Sequence, residues 1–312
     1  MSRAHDHTGG KSQGHAHSHG PANYNAAFAI GISLNLAFVV VEVIYGLRAQ
    51  SLALVADAGH NFGDVLGLVL AWVSALLTLR LPTRRHTYGM RRSSILAALG
   101  NAIFLLVTVG AIASEAIGRL RHPDPVQTST VVWVATLGIV INLGTALFFM
   151  AGRKGDLNIR GAFLHMAGDA GISAGVVVTG IIIGVTGWLW LDPAISLLIV
   201  VAITVGTWGL LTESLHLALD AVPEGVNLPE VEAYLHTLPG VTEVHDLHIW
   251  GMSTTDVALT VHLVKPAPCD DDEMLLGACK DLHDRFGIEH ATIQIERGYG
   301  PSECKQASDE VI

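Results

Sequence analysis

The sequence predicts an α-helical membrane protein: six transmembrane helices followed by a small cytosolic α+β domain. Three observations carry this reading. Half of the 312 residues are hydrophobic and only 15% are charged, whereas a soluble domain carries about a quarter charged residues. Mean hydropathy is positive. Apolar runs of roughly 20 residues, long enough to cross ~30 Å of hydrocarbon, recur up to residue 215 and then stop.

The spans are read at 26–47, 52–79, 94–118, 129–151, 160–186 and 193–213, within a membrane domain of residues 25–215. The second is interrupted by Asp57, His60 and Asp64, the fifth by His165 and Asp169, but each continues into an unbroken apolar run. Basic residues in short loops set the orientation. Arg80, Arg84, Arg85, Arg91 and Arg92 follow the second span, and Arg153, Lys154 and Arg160 the fourth. The opposite loops hold only Arg48, Arg119 and Arg121, so both termini are expected in the cytosol. Trp188 and Trp190 fit an interfacial aromatic belt on the far side.

Residues 1–24 form a His-rich tail with His5, His7, His15, His17 and His19, read as a disordered cytosolic segment for loose metal capture. It lacks the basic stub and apolar core of a cleavable signal. From residue 220 to 298 the pattern becomes that of a soluble domain. Asn227 and Glu230 resemble a capping box opening a helix to about His236. Strands are expected at 241–250, 255–264 and 290–297, with a helix from Asp270 to Phe286. Val257, Leu259, Val261 and Leu263 alternate onto one face. Helix–strand–strand–helix–strand order suits an open-faced sandwich. Residues 299–312 are a tail.

Charge divides sharply. Residues 1–219 hold 13 Lys+Arg against 10 Asp+Glu, while 220–312 hold 5 against 18, a net of −13. An acidic soluble domain argues against nucleic acid and suits cations. Cys269, Cys279 and Cys304 show no Cys-x-x-Cys spacing, which points to a reducing compartment without a disulfide framework. Cys279 reads as a small core residue of its helix.

The strongest signal is a pattern present twice, His60-Asn61-Phe62-Gly63-Asp64 and His165-Met166-Ala167-Gly168-Asp169. Residues i and i+4 share a helix face, so each copy aims an imidazole and a carboxylate at one point. Two opposed copies supply an N,N,O,O ligand set that suits tetrahedral zinc. Carboxylates inside a bilayer are costly and mark ion paths. Gly59, Gly63 and Gly67, with Gly168, Gly171 and Gly175, are expected to let the two helices approach closely. Gly171-Ile172-Ser173-Ala174-Gly175 matches a hydrolase nucleophile motif but lies inside an apolar span, so the required strand–turn–helix context fails.

With Ser51-Leu-Ala-Leu-Val-Ala-Asp-Ala-Gly-His60, His165-x-x-x-Asp169, Trp190-Leu-Asp192-Pro193 and Val244-His-Asp-Leu-His-Ile-Trp250, the chain resembles the cation diffusion facilitator family across about residues 25–298. Within it the likeness is greatest to bacterial cobalt–zinc–cadmium resistance exporters and animal vesicular zinc transporters. The resemblance implies a homodimeric, multi-pass inner-membrane antiporter that exchanges a divalent metal, chiefly Zn2+ but also Co2+ or Cd2+, for H+. It further implies a ferredoxin- or metallochaperone-like soluble domain that binds regulatory Zn2+. Carried over by position, His60, Asp64, His165 and Asp169 form the transport site; Asp57, one turn before His60, is expected to hold the imidazole tautomer, the alternative being a hydrogen bond to helix backbone or water. His245, His262 and Glu296, with His290 less central, are the soluble-domain ligands. His248 is expected on the opposite strand face from His245, and Cys304 matches a capping cysteine of some relatives. A further loop site of relatives finds only His86 here, beside Thr83, Met90 and repelling arginines.

Metal loading requires ionised carboxylates and neutral imidazoles, so it releases protons. An inward proton gradient then drives metal outward, with His60 and His165 as proton carriers. Two other classes use the same residues: an intramembrane metal-dependent hydrolase, with Asp57 as its base, and a membrane-anchored metal sensor. ATP-driven pumping by the chain itself is unsupported, since the sequence contains no Gly-x-x-x-x-Gly-Lys-Ser/Thr.

Overall fold

The computed structural model describes residues 24–150, 157–268 and 270–298. The tail histidines, Cys269 and Cys304 lie outside the described residues. Six long helices come first: α1 (Tyr24–Arg48), α2 (Leu52–Thr78), α3 (Ser93–Arg121), α4 (Thr128–Met150), α5 (Leu157–Thr186) and α6 (Leu191–Ala218). Among the described residues, α2 to α6 are long and apolar enough to span a membrane. Side chains such as Trp72, Trp133 and Val205 point out of the bundle, as lipid-facing residues do, while Phe38, Leu54, Leu105, Val131 and Val176 fill its centre.

Helix α6 continues five residues past the apolar run, to Ala218, where Asp220 adopts a positive φ of 60°. Hydropathy marks the edge of the membrane, whereas backbone hydrogen bonding carries the helix on towards the next domain. At the other end of the bundle Asp192 opens α6 and also holds the start of α2. Its carboxylate accepts from Ser51 Oγ and from the backbone N–H of Leu52 at 2.7 Å. Ser51 Oγ in turn accepts from Leu54 N–H at 3.2 Å, so the N-terminus of α2 is capped by two side chains.

The glycine expectation needs correction. A Cβ on Gly63 would lie 2.0 Å from Leu105 Cδ2, and those on Gly59 and Gly67 would meet Thr108 and Asn101. These glycines therefore bring α2 against α3, not α5. A Cβ added at Gly168, Gly171 or Gly175 would meet nothing within 4 Å. Helix α5 packs chiefly on α4, and α2 on α3 and α1.

The C-terminal domain contains α7 (Leu228–His236), β1 (Glu243–Gly251), β2 (Val257–Val264), α8 (Asp271–Phe286) and β3 (Ile288–Glu296). Strand β2 is central, antiparallel to β1 and parallel to β3. Leu259, Val261 and Leu263 face α7 and α8 and build one core with Val231, Leu235, Ala278 and Leu282. Neither α7 nor α8 covers the other face. Asn227 starts α7 without a side-chain cap, and its amide donates instead to Glu230 Oε1 at 2.9 Å. Cys279 is exposed, contrary to the core reading, because Met274, Ala278 and Leu282 take the buried stripe of α8.

The α2–α3 loop docks the two parts together. Arg91 pairs with Asp256 at 2.8 Å, Arg92 pairs with Asp220, and Ser94 Oγ accepts from Thr254 N–H at 3.1 Å.

Candidate metal centre

Spans two and five run in opposite directions, so the histidine of one lies across from the aspartate of the other. His60 Nε2 is 3.2 Å from Asp169 Oδ1, and His165 Nε2 is 3.3 Å from Asp64 Oδ2. Within each helix the pairs are wider: His60–Asp64 and His165–Asp169 are both 3.7 Å. A tetrahedral zinc site with 2.0–2.2 Å arms has edges of about 3.3–3.6 Å between ligand atoms. All four contacts lie near that edge.

The site is asymmetric. Asp169 is buried, His60 and Asp64 are partly covered, and the His165 side chain is 44% exposed. His60, Asp64 and Asp169 have donor atoms all within 4.8 Å of one another, and His165 lies outside that tight group. His165 is thus the member of the ring on its open side.

Asp57 does not hold an imidazole. It is fully buried, its Oδ2 accepts from Ser173 Oγ at 2.9 Å, and His60 Nδ1 has no hydrogen-bond partner. An adjacent buried group was missed by sequence reading: Glu42, whose Oε2 accepts from Asn61 Nδ2 at 2.9 Å. Together Glu42, Asp57, Asn61 and Ser173 link α1, α2 and α5 beside the ligands. The available signal was that Glu42 is the sole charge in the first span, a costly placement that marks function.

On the open face of the C-terminal sheet, His262 Nδ1 lies 3.0 Å from Glu296 Oε1 and His245 Nε2 lies 3.5 Å from Glu296 Oε2. His245 pairs directly with His262 across β1 and β2, with ring centroids 5.4 Å apart. Both ring nitrogens of the buried His245 lack hydrogen-bond partners, which suits a histidine made for a cation. The cluster His245–His262–Glu296 can hold a metal through N,N,O donors.

A bulge changes the expected strand faces. The register shifts between His245 and His248, and Asp246 there has a φ of 51°. His248 consequently pairs with Thr260, on the same face as His262 and His245, not the opposite one. Asp246, overlooked in the sequence, reaches His248 at 3.0 Å and His262 at 3.5 Å. His290 falls outside the cluster. It pairs with Ala258, four residues along β2 from His262, and its ring meets Tyr88 edge-on at 5.5 Å.

Comparison with known proteins is consistent over nearly the whole chain. Residues 28–217 match the cation efflux transmembrane domain, and residues 223–298 match the cytoplasmic domain of cation efflux proteins. The metal cation efflux system protein CzcD of Cupriavidus metallidurans is 37% identical over 295 residues, 94% of this chain and 92% of its own. The zinc transporter ZitB of Escherichia coli is 36% identical over 290 residues, covering 91% and 92%. A cadmium, cobalt and zinc/H(+)-K(+) antiporter of Bacillus subtilis is 31% identical over 284 residues, covering 90% and 91%. A solved metal-bound C-terminal domain of the CzcD transporter is 40% identical, covering 23% of this chain and 99% of that one, with a TM-score of 0.22.

Proposed function

The chain belongs to the cation efflux family, and from that premise we propose that it exchanges divalent metal cations, zinc foremost, for protons through His60, Asp64, His165 and Asp169. The observation that carries this is the alternating His–Asp ring, with its two shortest contacts, 3.2 and 3.3 Å, running between helices. An N,N,O,O set favours zinc over magnesium or calcium, which prefer all-oxygen sites. The names of the relatives, a zinc transporter and a cadmium, cobalt and zinc antiporter, support the same substrate class.

The ligand chemistry supports proton exchange. Both aspartates bind metal as carboxylates and both histidines as neutral imidazoles, so protons and metal compete for the same atoms. A site that loads on one side of the membrane and is protonated on the other then moves the two in opposite directions. His165, on the open side, is the ligand first reached by solvent and by protons. The hydrolase alternative is weakened because Asp57, its candidate base, is bonded to Ser173 deep in the bundle.

The C-terminal domain supports a dimeric protein with regulatory metal. In that reading His245, His262 and Glu296 hold the ion and offset part of the −13 net charge of residues 220–312. Proteoliposomes containing the purified chain test the main proposal. Zinc uptake should rise with an imposed opposing pH gradient and vanish when the gradient is collapsed. Uptake indifferent to the gradient would remove proton exchange.

A further inference from the structure

We propose that an anionic phospholipid headgroup binds in the cleft between the α2–α3 loop and the C-terminal sheet. The cleft measures about 1020 Å³, at the upper end of the ~300–1,000 Å³ typical of small-molecule sites. One wall is loop: Arg85, Arg91 and Arg92 line it with Tyr88 and Ser93. The facing wall is mostly apolar and includes Ile249, Trp250 and Met252.

Charge favours a phosphate there. Asp220 is the one carboxylate in the lining among the described residues and is already paired with Arg92. Arg91 is held by Asp256. Arg85, with its neighbour Arg84, is exposed and makes no ion pair among the described residues. Ser93 Oγ is buried without a hydrogen-bond partner and lines the same space, a donor with nothing yet to bond.

Position favours a lipid over a free anion. The loop starts where α2 leaves the membrane, as Leu79-Arg80-Leu81, and the two leucines are among the most exposed large apolar side chains in the protein, at 79% and 84%. Alternating exposed leucine and arginine fits the headgroup boundary, with apolar groups in the acyl region and guanidinium groups at phosphate level. Leu96 is exposed on α3 and also lines the cleft, which gives an acyl chain a path from the bilayer to the arginines. The lipid would tie the loop, and through Arg91 and Arg92 the docked C-terminal domain, to the membrane surface.

Native mass spectrometry of the full chain tests this, with dioleoyl-phosphatidylglycerol, dioleoyl-phosphatidylcholine and inorganic phosphate as separate probes. Phosphatidylglycerol should bind tighter than phosphatidylcholine. A basic residue near an anionic headgroup is worth about fivefold in affinity, so the double variant Arg84→Gln, Arg85→Gln should weaken phosphatidylglycerol about 30-fold. Arg121→Gln, at the opposite end of α3, should leave it unchanged. Equal binding of the two lipids, equal loss in Arg121→Gln, or full affinity in the double variant would each overturn the proposal. So would displacement of phosphatidylglycerol by millimolar phosphate, which would reassign the cleft to a free anion. Both variants alter exposed side chains, and unchanged melting temperatures will separate lost binding from lost fold.

Discussion

Replacing Asp169 by alanine tests the ligand ring most directly. Asp169 contacts both histidines, His60 at 3.2 Å and His165 at 3.7 Å, and its side chain is only 4% exposed. A four-ligand zinc site binds with about 10–16 kcal/mol, so an equal share is roughly 2.5–4 kcal/mol per ligand. At tenfold per ~1.4 kcal/mol, the variant should bind zinc roughly 60- to 700-fold more weakly. Among the described residues Asp64 is the one other carboxylate in the tight group and already serves as a member of the ring, so no spare carboxylate stands ready to replace Asp169. The fold should survive, because alanine removes a buried carboxylate and leaves a histidine that can stay neutral. Asp169→Asn retains the side-chain volume and one oxygen, and should fall between wild type and alanine. Titration calorimetry gives the affinity and proteoliposome uptake gives the flux. A folded Asp169→Ala protein transporting zinc within threefold of wild type would refute the four-ligand reasoning.

Other outcomes follow from different parts of the structure. His60→Asp should keep transport but raise cadmium uptake relative to zinc, since an oxygen-richer ring constrains the ion less; an unchanged uptake ratio would deny His60 a role in selectivity. Gly63→Ala places a methyl 2.0 Å from Leu105 Cδ2 and should cost about 1–3 kcal/mol, seen as a lower melting temperature. Gly168→Ala, with open space around it, should melt like wild type. Hydrogen bonds from Arg297 and Lys265 hold the Asp271 carboxyl below its ordinary value. Such a group stabilises above its unfolded value, about 3.9, and that stability is lost as pH falls through the folded one. Asp271→Asn should therefore melt lower at neutral pH and flatten the acid-side decline, as followed by circular dichroism between pH 3 and 6. Spin labels on paired C-terminal domains should report shorter, narrower distances with zinc, and this change should vanish in His245→Ala, His262→Ala. Distances indifferent to zinc would reject metal-driven closure.

What the sequence reveals and hides has physical reasons. The six long helices are legible because a bilayer fixes their length, and the ligand ring because its pattern occurs twice at i, i+4 spacing. Strand alternation likewise separates the buried face of β2 from its open one. It fails at Asp246, where one extra residue in β1 brings His248 round to the face that carries His245 and His262. Alternation has no term for a bulge, although aspartate inside a strand, a poor strand former that tolerates positive φ, is a cue for one. The glycines misled for another reason. Spacing identifies a face that permits close approach, but not the helix that approaches it, and α3 rather than α5 fills that face. Cys279 shows the same limit one residue at a time, since its neighbour Ala278 takes the buried position.

On the proposed function, the placement of the ring across a seam would let a ligand set take part in movement. Helix α5 packs most extensively on α4, and α2 on α3, which also joins α6. Helices α2 and α5 touch each other little, so the ligand pairs face across the boundary between two packed groups. Across it run the two shortest metal-site contacts and the Asp57–Ser173 hydrogen bond. Drawing the two groups apart by about 1 Å would lengthen contacts of 3.2 and 3.3 Å well beyond a tetrahedral edge, while leaving each intra-helix pair intact. Metal affinity is then tied to the relation between the groups, and a bound ion favours the arrangement that completes the ring. Had both His–Asp pairs sat within one tightly packed helix pair, metal would bind as well but would gain nothing from movement.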